Sequence, residues 1–353
     1  MAKRIALFTF LALLGFVVGT QLETSSPNRR LVVGWNLAAA RWTPQSQHLG
    51  GVGRESDGSW YAAIWNEKGD YVCRTDGVPA APGPYPKLAW SPDGTTLAVA
   101  AGTDVRLLCT DGRVLRLRAA PVVREIQYSG DTLMARTNNT VFIWKDKANK
   151  PWTISLEHLL LSTVDPTGTL LAVNCYQDGI RIFHLRTKRQ IQHLEPGRTA
   201  TGLQFSKGGE HLTFGLRQGR KRNHDKVLTY NLARNRYLGE PLSAPILRGL
   251  EVTPDGRNLL VSKEQATSVH LTDDGKEQAR RDHTPRLLDR IAPSGKWVLS
   301  VPAKPNRAIL WRAGAKKEFQ LSDKPPTDIS FSSDREAVVV SGGVAAVWEL
   351  PGR

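Results

Sequence analysis

Two columns of apolar residues recur roughly every forty positions, and Ser/Pro/Asp/Gly turns stand between short strand-like runs. Together they predict an all-β chain of repeated four-stranded sheets, a β-propeller of eight blades with seven as the alternative. The composition agrees: 353 residues, 40% hydrophobic and 23% charged, is ordinary for a globular protein and excludes a disordered or polytopic membrane chain.

The first twenty residues stand apart. Lys3 and Arg4 precede an uncharged run from Ile5 to Gly19, and small residues (Gly19, Thr20) close it. A positive start, an apolar stretch of this length and a small-residue end read as a secretory signal peptide or signal-anchor over residues 1–20. The run is short against the roughly 20 apolar residues of a spanning helix. Val17-Val18-Gly19 is an imperfect cleavage pattern, which leaves an uncleaved anchor open, and no cysteine follows to mark a lipoprotein. The expected location is extracytoplasmic, secreted or periplasmic, or tethered to a membrane by the uncleaved segment. Loss of Lys3 and Arg4 would lower the net charge from +15 to +13. Residues 21–30 read as a linker and 31–353 as the propeller.

The first column marks a hairpin. Its clearest copy is Leu88-Ala89-Trp90-Ser91-Pro92-Asp93-Gly94 followed by Leu97 to Ala100; others surround Pro166-Thr167-Gly168, Gly208-Gly209, Pro254-Asp255-Gly256, Pro293-Ser294-Gly295 and Ser332-Ser333-Asp334, with a shortened turn at Ser129-Gly130-Asp131. Apolar-polar-apolar alternation puts one face of the first strand into a core. Asp-Gly supplies the positive φ angles of a tight reversal. The second column marks a third strand: Cys73, Leu108, Trp144, Phe183, Tyr230, His270, Trp311 and Trp348. A polar turn and a fourth strand follow, as in Val114–Arg118.

The earliest copy, around Glu55-Ser56-Asp57-Gly58, keeps a turn and a second strand (Ser59 to Trp65) but shows no first strand. The last copy ends at Trp348-Glu349-Leu350, too near the C-terminus for a fourth strand, while Leu31 to Leu37 is a strand with no hairpin before it. Joining the two closes a ring of eight. With seven blades, residues 38–80 would be irregular capping.

Ser-Pro-Asp-Gly hairpins and Trp-x-Leu strand ends resemble the WD-repeat propellers, from about residue 31 to Leu350. The chain departs from that family: no copy has Trp-Asp, and none opens with Gly-His. His158 and His283 precede their hairpins but follow acidic residues, Glu157 and Asp282. Blades without the family's hydrogen-bonded network must rely on apolar packing. The resemblance implies a terminal strand that completes the last blade, and ring faces that dock other proteins.

Linear motifs for chemistry are missing. There is no P-loop, dinucleotide glycine pattern, His-Glu-x-x-His or nucleophile elbow. The eight histidines are scattered without metal-ligand spacing, and three cysteines are too few for a disulfide scaffold or a four-ligand zinc site. Cys73, Cys109 and Cys175 read as small buried hydrophobes, with one disulfide as the alternative. The ten tryptophans read as packing between blades. The expectation is therefore a noncatalytic protein-interaction platform, a monomer with no cofactor and no metal. An extracytoplasmic metal-dependent hydrolase or lactonase-type propeller is the reading of lower weight, since a channel can gather distant ligands.

One insertion breaks the rhythm. The step from Phe183 to Tyr230 is the longest, and its extra length carries Arg217, Arg220, Lys221, Arg222 and Lys226 against Asp225 alone. Charge runs are commonly solvated surface. The alternative is an anion-binding patch for polysaccharide, anionic lipid or nucleic acid.

Overall fold

The computed structural model describes residues 23–24, 27, 29–32, 37–43, 47–78, 87–119, 122–145, 150–217, 225–244, 246–272, 275–282, 286–303, 306–315, 318–333, 336–341 and 344–350. The signal-like segment lies outside them. Eight sheets stand around a common axis, seven built on four consecutive antiparallel strands and the last on three joined by an N-terminal strand. Blades are numbered 1 to 8 in chain order, and their first strands are Leu37–Trp42, Leu88–Trp90, Glu125–Ser129, Leu159–Val164, Ala200–Ser206, Leu247–Val252, Arg286–Ile291 and Asp328–Ser333. Each first strand touches those of both neighbouring blades, and blade 8 touches blade 1, so the ring is closed. The only helix among the described residues is a three-residue 3-10 turn at Lys207–Gly209.

Closure comes from the N-terminus, as expected, though from different residues. Arg29–Val32 pairs antiparallel with Val344–Glu349 and supplies the fourth strand of blade 8. The expected strand was Leu31 to Leu37; residues 33–36 lie outside the described set, and Leu37 already opens blade 1. Glu23–Thr24 adds in parallel to the outer edge of blade 7. Two strands thus fall partly or wholly within the stretch read as a linker.

Each hairpin follows its residues. In blade 2 Gly94 takes φ +70°, and its N–H donates to the Ser91 carbonyl at 2.9 Å. Asp93 accepts the Thr95 N–H at 3.0 Å, and the Ser91 hydroxyl accepts that of Thr96 at 2.9 Å. The side chains of the turn satisfy the amides that the reversal strands.

Across each blade, registered residues repeat in threes from the first to the third strand. They are Trp42–Leu49–Trp65, Trp90–Leu97–Leu108, Tyr128–Leu133–Trp144 and Val164–Leu171–Phe183 in blades 1 to 4. Phe205–Leu212–Tyr230, Val252–Leu259–His270, Ile291–Val298–Trp311 and Phe331–Ala337–Trp348 follow in blades 5 to 8. Same-face side chains on adjacent strands sit close enough to pack as a stripe, and the stripes make the inter-blade core.

The triplets correct one expectation. In blade 1 the third-strand position belongs to Trp65, and Cys73 lies on the fourth strand, Tyr71–Asp76. The Asp57-Gly58 turn therefore joins the second and third strands, not the first and second. Blade 1 does have a first strand, Leu37–Trp42, although its return to His48 lacks the Ser/Pro/Asp/Gly signature that marks the other hairpins. All three cysteines are buried and free.

Candidate functional site

The residue just before the first member of each triplet occupies a common level of the inner strands: Arg41, Ala89, Gln127, Thr163, Gln204, Glu251, Arg290 and Ser330. Several of these side chains fasten one blade to the next. The Gln127 side-chain amide donates to the Val164 carbonyl at 3.0 Å, and its oxygen accepts the Val164 N–H at 3.1 Å. Gln204 does the same to Val252, at 3.2 and 2.9 Å. A primary amide can donate and accept at once, so each glutamine satisfies both backbone groups of the neighbouring inner strand.

Glu251 occupies the equivalent place and accepts the Ile291 N–H at 3.4 Å. Glu251 is half-buried and lines a small cavity with Asp289 and Arg290. Burial pushes its pKa up, against the opposing pull of Arg290 and Arg41 and with a small push from Asp289.

At the clamp level the charged residues are Arg41, Glu251 and Arg290, of blades 1, 6 and 7, and Asp289 and Asp328 stand on the first strands of blades 7 and 8 beside them. Arg41 and Asp328 form an ion pair. Asp289 accepts from Ser262 Oγ at 2.7 Å and Thr267 Oγ1 at 3.0 Å. Two small cavities lie here, about 160 Å³ beside Arg41, Arg290 and Asp328 and about 150 Å³ beside Glu251 and Arg248. Among the described residues no three His, Cys, Asp or Glu side chains cluster as a metal site.

A larger cleft, about 570 Å³, opens between blades 2 and 3. Its floor is apolar: Leu107 and Leu117 from blade 2 face Tyr128, Leu133 and Trp144 from blade 3. The rim consists of the two first hairpin turns, with Pro92, Asp93, Gly130 and Asp131 exposed. Two polar atoms in the cleft, Tyr128 Oη and Trp144 Nε1, are buried without a hydrogen-bond partner. Burial raises the pKa of Tyr128, chiefly by desolvation, which keeps the phenol protonated.

The basic residues foreseen as an anion site are only partly described. Arg217 is exposed at the end of the second strand of blade 5, its N–H donating to the Thr199 carbonyl at 3.1 Å. Lys226 opens the third strand opposite Leu216 and is half-buried. Arg220, Lys221 and Arg222 lie outside the described residues. Asp225, the one acid of the insertion, is buried at 3% exposure. The clamps and the cleft were not foreseen. Their signal was present as the polar residue between two apolar ones in several first strands, but its meaning depends on what the next blade presents.

No family model matches the sequence, and no curated protein matches it either. Solved structures do match. The β-propeller domain of Myceliophteria thermophila Cps50 (Swd1) superposes with a TM-score of 0.60 at 13% identity, covering 92% of this chain and 99% of that one. A chain of the Kuenenia stuttgartiensis hydrazine synthase gives a TM-score of 0.57 at 12% identity, covering 85% of this chain and 99% of that one. At such identities the likeness is one of fold.

Proposed function

We propose that this chain is a noncatalytic propeller of the WD-repeat type, exported or membrane-tethered, that serves as a platform for binding other proteins. The observation that carries the reading is the cleft between blades 2 and 3. It combines an apolar floor, unpartnered polar atoms and an exposed turn rim on a ring stapled by inter-blade hydrogen bonds. Binding residues are commonly presented by loops held on a rigid scaffold. The test is crosslinking and affinity capture from the native cell envelope, repeated after fractionation of the host. A defined envelope protein crosslinked to the turn face is expected, in a fraction outside the cytoplasm. Cytoplasmic protein that retains residues 1–20 would overturn export, and a turn face that crosslinks to nothing would overturn the platform.

A second reading is favoured by one observation in blade 5. Burial of Asp225 withdraws the only acid of the insertion, leaving Arg217 exposed at its base. On this reading the 217–226 loop binds a polyanion such as envelope polysaccharide or anionic lipid. Retention on heparin or anionic vesicles should then fall steeply with salt and drop further when Arg217, Arg220, Lys221, Arg222 and Lys226 are replaced by Gln. Unchanged retention of that variant rejects the reading.

A further inference from the structure

We infer that the cleft between blades 2 and 3 is a docking site for an extended peptide, which seats a bulky apolar side chain flanked by Lys or Arg. The inference rests on the platform reading and gives it a location and a ligand chemistry.

Two interactions made elsewhere in the ring have no counterpart at the cleft. Blade 2 carries Ala89 at the clamp level, where blades 3 and 5 carry Gln127 and Gln204. Those glutamines grip Val164 and Val252 of the next blade, and a methyl group cannot grip the backbone of Tyr128. The second break concerns Trp144. Its counterpart in blade 7, Trp311, donates its indole N–H to Ser300 Oγ at 3.0 Å. Ser300 stands two residues beyond Val298, the registered partner of Trp311; two residues beyond Leu133, the partner of Trp144, stands Ala135. Blade 3 therefore offers no such acceptor to Trp144. Trp144 is 1% exposed and its N–H has no partner. A buried donor left in that state is costly, and an indole can only donate. The occupant must therefore bring an acceptor, which every peptide bond supplies.

Shape and charge select among occupants. The floor is closed to solvent but the mouth is bordered only by two turns, so the cleft has no roof. A free small molecule generally needs most of its surface enclosed. A peptide covers the mouth with its own chain while one side chain fills the floor. Asp93 and Asp131, both exposed, stand on the rim; Asp93 accepts hydrogen bonds from Thr95 within its turn, and Lys145 of blade 3 lies 3.8 Å from Asp131. In a chain carrying +15 overall, two rim carboxylates form a local acidic frame that favours basic residues beside the apolar anchor.

The experiment is selection of a random-peptide phage library on the full chain, followed by anisotropy titration of the recovered peptides. A consensus of a large apolar residue next to Lys or Arg is expected. Leu117→Trp, which fills the floor, should weaken those peptides by about tenfold or more. Replacing both Asp93 and Asp131 by Asn should weaken them several-fold and flatten their salt dependence; this isosteric pair keeps the test valid if Leu117→Trp does not fold. Trp144→Phe should also weaken binding, because it removes the donor and keeps the ring. Peptides that bind wild type and both cleft variants equally would overturn the inference while leaving the platform reading intact. So would a cleft that takes N-acetyltryptophanamide in soaked crystals yet selects no peptide consensus. Failure of the platform reading has its own signature, a turn face that crosslinks to no envelope protein.

Discussion

Gln204 on blade 5 holds Val252 on blade 6 by both of its backbone polar groups, donating to the carbonyl at 3.2 Å and accepting the N–H at 2.9 Å. Among the described residues no strand ladder joins adjacent blades, and side chains reach the neighbouring backbone instead, as Trp90 Nε1 does in donating to the Arg41 carbonyl at 2.8 Å. One amide thus does for the ring what ladder bonds do within a sheet.

Removing that amide should be costly. Gln204→Ala leaves the Val252 N–H and C=O without their partner, and each unsatisfied buried group costs about 1–3 kcal/mol. Denaturant unfolding should show a loss of about 2–4 kcal/mol. Gln204→Glu should lose less, and should recover at low pH, where a protonated carboxyl can again donate.

Glu251 makes the converse test. Its folded pKa is raised by burial above the ordinary value near 4.5. A carboxyl raised in this way holds its proton more tightly folded than unfolded. Its contribution to stability is therefore most favourable below the unfolded pKa and is lost as pH rises through the window above it. Glu251→Gln removes that penalty and supplies an amide able to donate to the Ile291 carbonyl. The variant should match wild type near pH 4 and become progressively more stable toward pH 8, and equal stability of the two at pH 8 would reject this account.

Ala135→Ser should supply Trp144 with the hydroxyl that Ser300 gives to Trp311. One added buried hydrogen bond contributes about 0.5–1.5 kcal/mol, so the melting temperature should rise. Ser300→Ala should lower it by a similar amount.

Cys73, Cys109 and Cys175 are buried and unpaired, and burial raises the thiol pKa of Cys73 and Cys175. The thiolate is the reactive form. Alkylation at pH 8 should therefore be slow in the native protein, and mass spectrometry should count three labels only after unfolding. Rapid native labelling would contradict the burial of these side chains.

Much of the architecture was legible without coordinates. Alternation within strands and Asp-Gly turns between them are local signals, set by side-chain direction and by the φ angles glycine tolerates. Repetition reinforced these signals, and eight blades was the leading reading with seven as the alternative. Blade 1 was harder to read. The return from Trp42 to His48 has Thr43-Pro44 but no Asp-Gly, so the stronger Asp57-Gly58 turn was placed one strand too early and Cys73 stood in for Trp65.

The basic insertion was legible as composition alone. Burial of Asp225, which decides how cationic its surface is, depends on packing that no local pattern records. The same holds for the inner ring. That a polar residue recurs between two apolar ones in the first strands is written in the sequence. Whether that residue clamps both backbone groups of the next blade, as Gln204 does, or accepts a single N–H beside a cavity, as Glu251 does, was decided by the tertiary structure. The physical reason is distance along the chain: each clamp joins residues nearly forty or more positions apart, and only closure of the ring brings the donor of one blade to the acceptor of the next.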